Sequence, residues 1–222
     1  IPHDRTRERR LVRFLDGIKD KASAVYLLGD IFDFWYEYKT VVPRGYTRFL
    51  GKLSELADRG VEVHFFTGNH DIWCGDYLVK ECGVTLHTEP MTVEMGDKVF
   101  MLAHGDGLGD PDRKFRFLRA VFRNRLCQRM FSCIHPRWAV DFGLSWAAQS
   151  RLKHGVEGGD PPYLGEDKEY LVRFAKEYLK AHSEINYFIF GHRHIELDLM
   201  LTRSSRVLIL SLIHISEPTR PY

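Results

Sequence analysis

No stretch of this 222-residue chain stays apolar for the ~20 residues that a membrane-spanning helix needs, so it reads as a chain without a helical span. Charge of one sign is lacking too. Against 32 Lys and Arg stand 30 Asp and Glu, a formal +2, and that balance provides no global field to draw nucleic acid. Cysteine is scarce and unpatterned: Cys74, Cys82, Cys127 and Cys133 include no CxxC or other metal spacing. They read as reduced, mostly packed thiols of a cytosolic protein. The chain has no internal repeat and no low-complexity tract, and its opening residues carry no signal-peptide pattern. Its length suits one sizeable core, or one domain with an insertion.

Both ends raise an expectation. Ile1 stands where a Met would open a chain, and a helical pattern follows almost at once, which predicts a further segment upstream. Leu210–Arg220, LSLIHISEPTR, resembles the translation of a sequencing-library adapter; the alternative is an ordinary strand followed by a Pro-containing tail. On the first reading the domain spans 1–209, residues 210–222 are a non-native tail, and His214 is not a ligand.

What the chain does have is a set of apolar runs that each end in polar groups. In Ala24–Trp35, AVYLLGDIFDFW, Val25 to Leu28 suit a strand buried on both faces, Gly29 stops it, and Asp30 sits at its carboxyl end. That is the edge where α/β sheets place ligands, and a buried carboxylate there needs a cation partner. FFTGNHD at Phe65–Asp71, VFMLAHGD at Val99–Asp106 and YFIFGHRH at Tyr187–His194 repeat the arrangement.

Between these runs, helices are expected at Arg5–Lys19 (stripe Leu11, Phe14, Leu15, Ile18), Tyr46–Asp58 and Tyr77–Cys82. Strands are expected at Val61–Thr67, Val84–His87 and Met91–Glu94, with Gly96-Asp97 turning into Lys98–Ala103. The α-β-α-β order predicts a layered α/β domain with parallel strands. After Asp106 the pattern changes. Arg113 to Ile134 lacks Gly and Pro, has apolar residues at 115, 118, 122, 126, 130 and 134, and predicts one continuous helix ended by Pro136. From Asp112 to Arg137 there are eight Lys/Arg and one acid, a basic amphipathic segment. Trp138–Arg151 predicts another helix, Gly155–Pro162 a loop, and Glu166–Lys180 a helix before the sheet resumes at Tyr187. A helical insertion of about 112–183 therefore interrupts an α/β core.

The polar tips offer the donors that two-metal hydrolysis requires. A carboxylate is needed to bridge two cations, with neutral N and O ligands to complete each sphere. Asp30 fits the bridge, Asn69 offers an amide oxygen, and His104, His192 and His194 offer imidazoles; such a thiolate-free set suits manganese, iron or zinc. Each element alone is weak, and the ordered set at successive strand ends is strong. His64, His87, His135, His154 and His182 match no motif and read as structural or solvated.

Gly29-Asp30, Gly68-Asn69-His70-Asp71, His104-Gly105-Asp106 and Gly191-His192-Arg193-His194 together resemble the successive motifs of the calcineurin-like metallophosphoesterases. The resemblance implies an α/β-β/α sandwich with a helical lid. It also implies two divalent metal ions, with Asp30 bridging and Asn69, His104 and His192 completing one site. His194 would belong to the other site, whose remaining ligands lie in an opening Asp-x-His motif expected upstream of residue 1. His70 would approach the phosphate and protonate the leaving oxygen or stabilise its charge. Asp33, Asp71 and Asp106 would orient ligands, or are ordinary turn carboxylates.

LGDIFDFW, HGDGLGDPDRKFRFLR and the placement of the insertion before GHRH resemble the UDP-2,3-diacylglucosamine pyrophosphatase branch of this family. That branch implies cleavage of a UDP-linked acylated sugar to UMP and lipid X, with manganese, at the cytoplasmic face of the bacterial inner membrane. Asp112 would contact the glucosamine, and Arg119, Ser150, Arg151 and Lys153 would face sugar, phosphate or nucleotide. The branch carries GNRD where this chain has GNHD, so at His70 the chain looks like the general family. Two other readings stay open, a metallophosphoesterase for another phosphoester and a catalytically silent scaffold. The oligomeric state is not legible.

Overall fold

The β-formers after Ser23 do pair, and they begin the first of two sheets. The structure, a computed structural model, describes residues 5–153, 163 and 165–211, apart from the side chains of 147–153. Its elements run α1 (Arg5–Ile18), β1 (Ala24–Leu27), α2 (Thr47–Asp58), β2 (Glu62–Phe66), α3 (Tyr77–Cys82), β3 (Thr85–His87), β4 (Met91–Met95) and β5 (Lys98–Ala103). They continue with α4 (Arg113–Arg123), α5 (Arg125–Ser132), α6 (Pro136–Lys153), α7 (Tyr170–Leu179), β6 (Tyr187–Phe190), β7 (Leu197–Met200) and β8 (Arg206–Ile209). Strands β1, β2 and β3 form a parallel sheet, and the others a mixed sheet in the order β4-β5-β6-β8-β7.

The expectation of parallel strands holds for the first sheet and for β5, β6 and β8, while β4 and β7 lie antiparallel on the outer edges. Met95 pairs with Lys98, which leaves Gly96-Asp97 as the two-residue hairpin turn, with Gly96 at φ 64°. The stretch expected to be buried on both faces is buried on one. Val25 and Leu27 face the helices, while Tyr26 lies half-buried on the other face, stacked on His64 at 4.6 Å.

Each sheet has its own apolar core. Leu15 of α1, Phe49, Leu53 and Leu56 of α2 and Leu78 of α3 pack with Val25, Leu27, Val63 and Phe65. In α1 the inward positions are Leu11, Val12, Leu15 and Ile18, whereas Phe14, expected in the stripe, points to solvent. Leu171, Val172 and Ala175 of α7 pack with Met101, Phe188, Phe190, Val207 and Ile209 of the second sheet. Each such large side chain contributes about 1.5–3 kcal/mol on burial.

The expected single helix over 113–134 is two helices. Asn124 leaves helical geometry at φ −73°, ψ 122°, and its side chain accepts from Leu126 N at 2.9 Å and Cys127 N at 3.2 Å, capping α5. The break turns the apolar stripe. Phe115, Leu118 and Phe122 stay half-buried, but Leu126, Met130 and Ile134 face solvent while Phe131 turns inward. Pro136 does not end a helix; it opens α6 at the position where its missing N–H costs nothing. Glu166 to Glu169 precede α7 rather than starting it. The expected loop Gly155–Pro162 and the tail from 212 onward lie outside the described residues.

One long-range cap joins the first two helices. Tyr46, at φ 58°, gives no side-chain cap to α2; Glu8 of α1, 6% exposed, instead accepts from Arg48 N at 3.0 Å and Phe49 N at 3.3 Å. Glu8→Ala leaves those donors unsatisfied and is expected to cost about 1–2 kcal/mol, read as a lower midpoint in urea with an unchanged slope. A midpoint equal to that of the wild type would show that water replaces the cap.

Candidate metal centre

The carboxyl ends of β1, β2, β5 and β6 meet, and the loops that leave them carry the polar tips. Gly29, at φ 80°, leaves no room for a side chain, because a Cβ there would stand 2.6 Å from His104 Nδ1. A Cβ on Gly68 would land on the Asp30 carboxylate. Both glycines are therefore dictated by the closeness of the loops. Asp30, His192 and His194 themselves adopt positive φ, at 53°, 66° and 51°. Such conformations cost of order 1–3 kcal/mol each and persist only where the surroundings fix them.

Ring and carboxylate atoms converge on one point. His104 Nδ1 donates to the Leu28 carbonyl at 2.7 Å, which turns Nε2 toward Asn69 Oδ1 and Asp30 Oδ2, each 3.3 Å away. His192 Nδ1 lies 2.8 Å from the same Asn69 oxygen. Asp30, His104 and His192 present ligand atoms all within 4.8 Å of one another. The carbonyl behind His104 fixes its tautomer as metal-binding histidines require. Four N and O donors aimed at one another, two of them imidazoles facing one amide oxygen, fit a divalent cation of intermediate softness.

The neighbours of the cluster hold it in place. Asp71, fully buried, accepts from Gly68 N at 2.6 Å, Ile31 N at 3.0 Å and Phe32 N at 3.4 Å, so one carboxylate fastens the loop after β2 to the loop after β1. Burial and the charge of Asp30 push its carboxyl up. Burial works against the charge of Asp30, yet the imidazoles of His104, His70 and His192 outweigh it and hold that carboxyl well below the usual range. His70 N donates to Asp30 Oδ1 at 2.9 Å, and His70 Nδ1 meets the Asp33 carbonyl at 3.0 Å, which leaves Nε2 to act. His192 is pushed down to about 3 by burial and by His104.

The structure brings Asp30, Asn69, His70, His104 and His192 together. His194 follows in the same loop, close enough for its charge to act on His192, but it stands outside the converging group. Asp112 is exposed and caps α4, accepting from Lys114 N at 2.8 Å and Phe115 N at 3.3 Å. Arg119 is engaged by the buried Asp106 at 2.5 Å. Ser150, Arg151 and Lys153 fall at the end of α6, and their side chains lie outside the described residues. Sequence reasoning missed Trp73 and Glu169, which contact the insertion and the GHRH loop; a lone Trp after GNHD and a Glu before an apolar helix were the only signals.

Two sheets whose strand ends carry this donor set define a metal-dependent phosphoesterase. Residues 3–196 match the calcineurin-like phosphoesterase family, and the chain belongs to it. A protein of Porphyromonas gingivalis named UDP-2,3-diacylglucosamine hydrolase is 45% identical over 214 residues, 92% of this chain and 82% of its own length. Proteins of the same name from Edwardsiella ictaluri and Hahella chejuensis are 32% and 34% identical, over 66% and 55% of this chain. This chain covers 56% and 50% of their lengths.

The charge around His104 sets a pH dependence. Burial alone would lower its pKa, but the Asp30 carboxylate raises it from 6.5 to about 9, so at neutral pH His104 is held protonated, and a cation taking its Nε2 would have to displace that proton. That proton stabilises the fold fully below pH 6.5, and the contribution is lost as pH rises through 9. The affinity of the cluster for a divalent cation, with manganese as the probe, is expected to climb about tenfold per pH unit over that window, one proton leaving per ion. Calorimetry in buffers of different ionisation enthalpy measures this, and a flat affinity would refute it.

Proposed function

We propose that the chain hydrolyses the pyrophosphate bond of UDP-2,3-diacylglucosamine, releasing UMP and lipid X, with two divalent cations, taken to be manganese. The observation that carries this reading is the convergence of Asp30, Asn69, His104 and His192 in a chain 45% identical to a hydrolase named for that substrate. Asp30 is assigned as the bridging ligand, Asn69, His104 and His192 complete one site, and His194 belongs to the other. Bound there, the cations would activate water and neutralise charge on the phosphoryl oxygens. The chain's own contribution is positional: the Leu28 carbonyl fixes the His104 tautomer, and Asp71 holds the loop of Asn69 against that of Asp30. His70, with Nδ1 on the Asp33 carbonyl, is assigned to hold or deliver the proton at the leaving oxygen through Nε2. Asp112, Arg119, Ser150, Arg151 and Lys153 remain proposed substrate contacts; Arg119 acts there only by sharing itself with Asp106.

The insertion favours a lipid substrate over a soluble one. Phe117, Leu126, Met130, Trp138 and Phe142 are all more than half exposed, along helices that also carry Arg113, Arg116, Arg125, Arg129 and Arg137. Rings and aliphatics at a polar boundary, with arginines for anionic headgroups, suit a peripheral position on the cytoplasmic face of the bacterial inner membrane.

The test is UMP release from UDP-2,3-diacylglucosamine in mixed micelles by the full-length protein with manganese. Release is expected to vanish in Asp30→Ala and His192→Ala, and to fall about 10²–10⁴-fold in His70→Gln. Hydrolysis of a generic phosphodiester without UMP release would move the enzyme to another substrate; silence on both would favour the scaffold.

A further inference from the structure

The loops that carry Asp30, Asn69 and His104 also carry, a few positions on, a contact to the helices of the insertion, and the loop of His192 reaches the residue that precedes α7. After His104, the buried Asp106 carboxylate accepts from Arg119 Nε of α4 at 2.5 Å, with Arg123 Nη2 4.0 Å away. After Asn69 and His70, the Trp73 indole donates to the Phe122 carbonyl at 2.7 Å. After Asp30, the Tyr36 hydroxyl donates to the Gln128 carbonyl at 2.8 Å. After His192, Arg193 Nε lies 3.1 Å from both oxygens of Glu169, the residue that opens α7 where the chain returns from the insertion.

We propose that these ties make the insertion the frame that spaces the candidate ligands, with Trp73, Asp106, Arg119 and Glu169 as positioning residues, so that insertion order and divalent-cation binding are coupled. The inference rests on the reading of the cluster as a metal site.

Strand pairing fixes each loop only at its root, and Asp30, His192 and His194 stand beyond that root in conformations that need outside support. The ties supply it from one direction. The break at Asn124 is part of the device, because it frees the Phe122 carbonyl to receive both Trp73 Nε1 and Gln128 Nε2, the latter at 2.9 Å. Trp73 packs its ring on Phe122 and Phe131 at 5.1 and 4.7 Å, so the loop of Asn69 and the corner of the insertion move as one. Whatever the insertion contributes to holding the ligands, a bound cation must return to the insertion.

Manganese alone, titrated into the full-length protein, tests this without substrate. Free manganese is read by electron paramagnetic resonance, and amide exchange is followed over residues 113–132. In the wild type, manganese is expected to slow exchange there roughly 5-fold or more. Arg119→Met and the milder Trp73→Phe, which keeps one aromatic ring but removes the indole donor and part of the packing, are expected to weaken manganese binding by about 5- to 150-fold and to blunt that response. Glu8→Ala, which loosens the fold away from the cluster, should lower stability and leave manganese affinity unchanged. Folded variants that bind manganese as the wild type does, or exchange over 113–132 indifferent to the ion, would overturn the coupling. A wild-type protein that binds no manganese would overturn the metal reading itself, and the coupling with it.

Discussion

Asp30 is a carboxylate with 5% of its side chain exposed, at the point where two sheets end against each other. A buried negative charge is tolerated only where its surroundings compensate, and much of the architecture supplies that compensation. The His70 amide and the His104 ring reach its two oxygens. The left-handed turn at Asp30, the two glycines that let the loops approach, and the Asp71 carboxylate that ties Ile31 and Phe32 to Gly68 all serve to bring donors to it. The same crowding makes the centre selective about charge. His192 stays neutral because it is buried and because His104 already holds a proton beside Asp30, so one protonated and one neutral ring flank the carboxylate.

The tips of the strands were legible because the chemistry there is local. A β-forming run followed within two residues by Gly together with Asp, Asn or His is a pattern that needs no knowledge of the partner strand, and the hairpin at Gly96-Asp97 is as local. What the sequence concealed depends on residues far apart. Glu8 caps a helix that begins 39 positions later, at Thr47, and nothing in either segment announces the other. Phe14 has the spacing of an inward residue, yet Val12 takes that place, because the neighbouring α2 decides which side of α1 is covered. Nor does an apolar run tell how many of its faces will find a neighbour, which is why Tyr26 stands half-buried beside Val25 and Leu27.

The break at Asn124 shows how one polar residue redirects a longer pattern. Apolar residues at 115, 118, 122, 126, 130 and 134 satisfy a helical period, and periodicity alone joins them. Asn is a weak helix former because its side chain competes for backbone donors, and here it wins two of them, at Leu126 and Cys127. The winning is local, but its support is not. Ending α4 releases carbonyls that must find donors, and Trp73 and Gln128 stand ready for Phe122.

The division that follows argues for what the insertion is built to do. Phe122 and Phe131 pack with Trp73 and Tyr36 beside the loops of the cluster, while Leu126 and Met130 of α5 and Trp138 of α6 are turned into solvent among arginines. Water gives no return for that exposure, and a scaffold that only needed to fold would gain by hiding it. On the proposed function, a surface that joins exposed rings to arginines would recover the cost against an amphiphile carrying phosphate. The inward half of the same segment meanwhile grips the loops that bear the candidate ligands, so an amphiphile held outside and an ion held inside would act on one piece of structure.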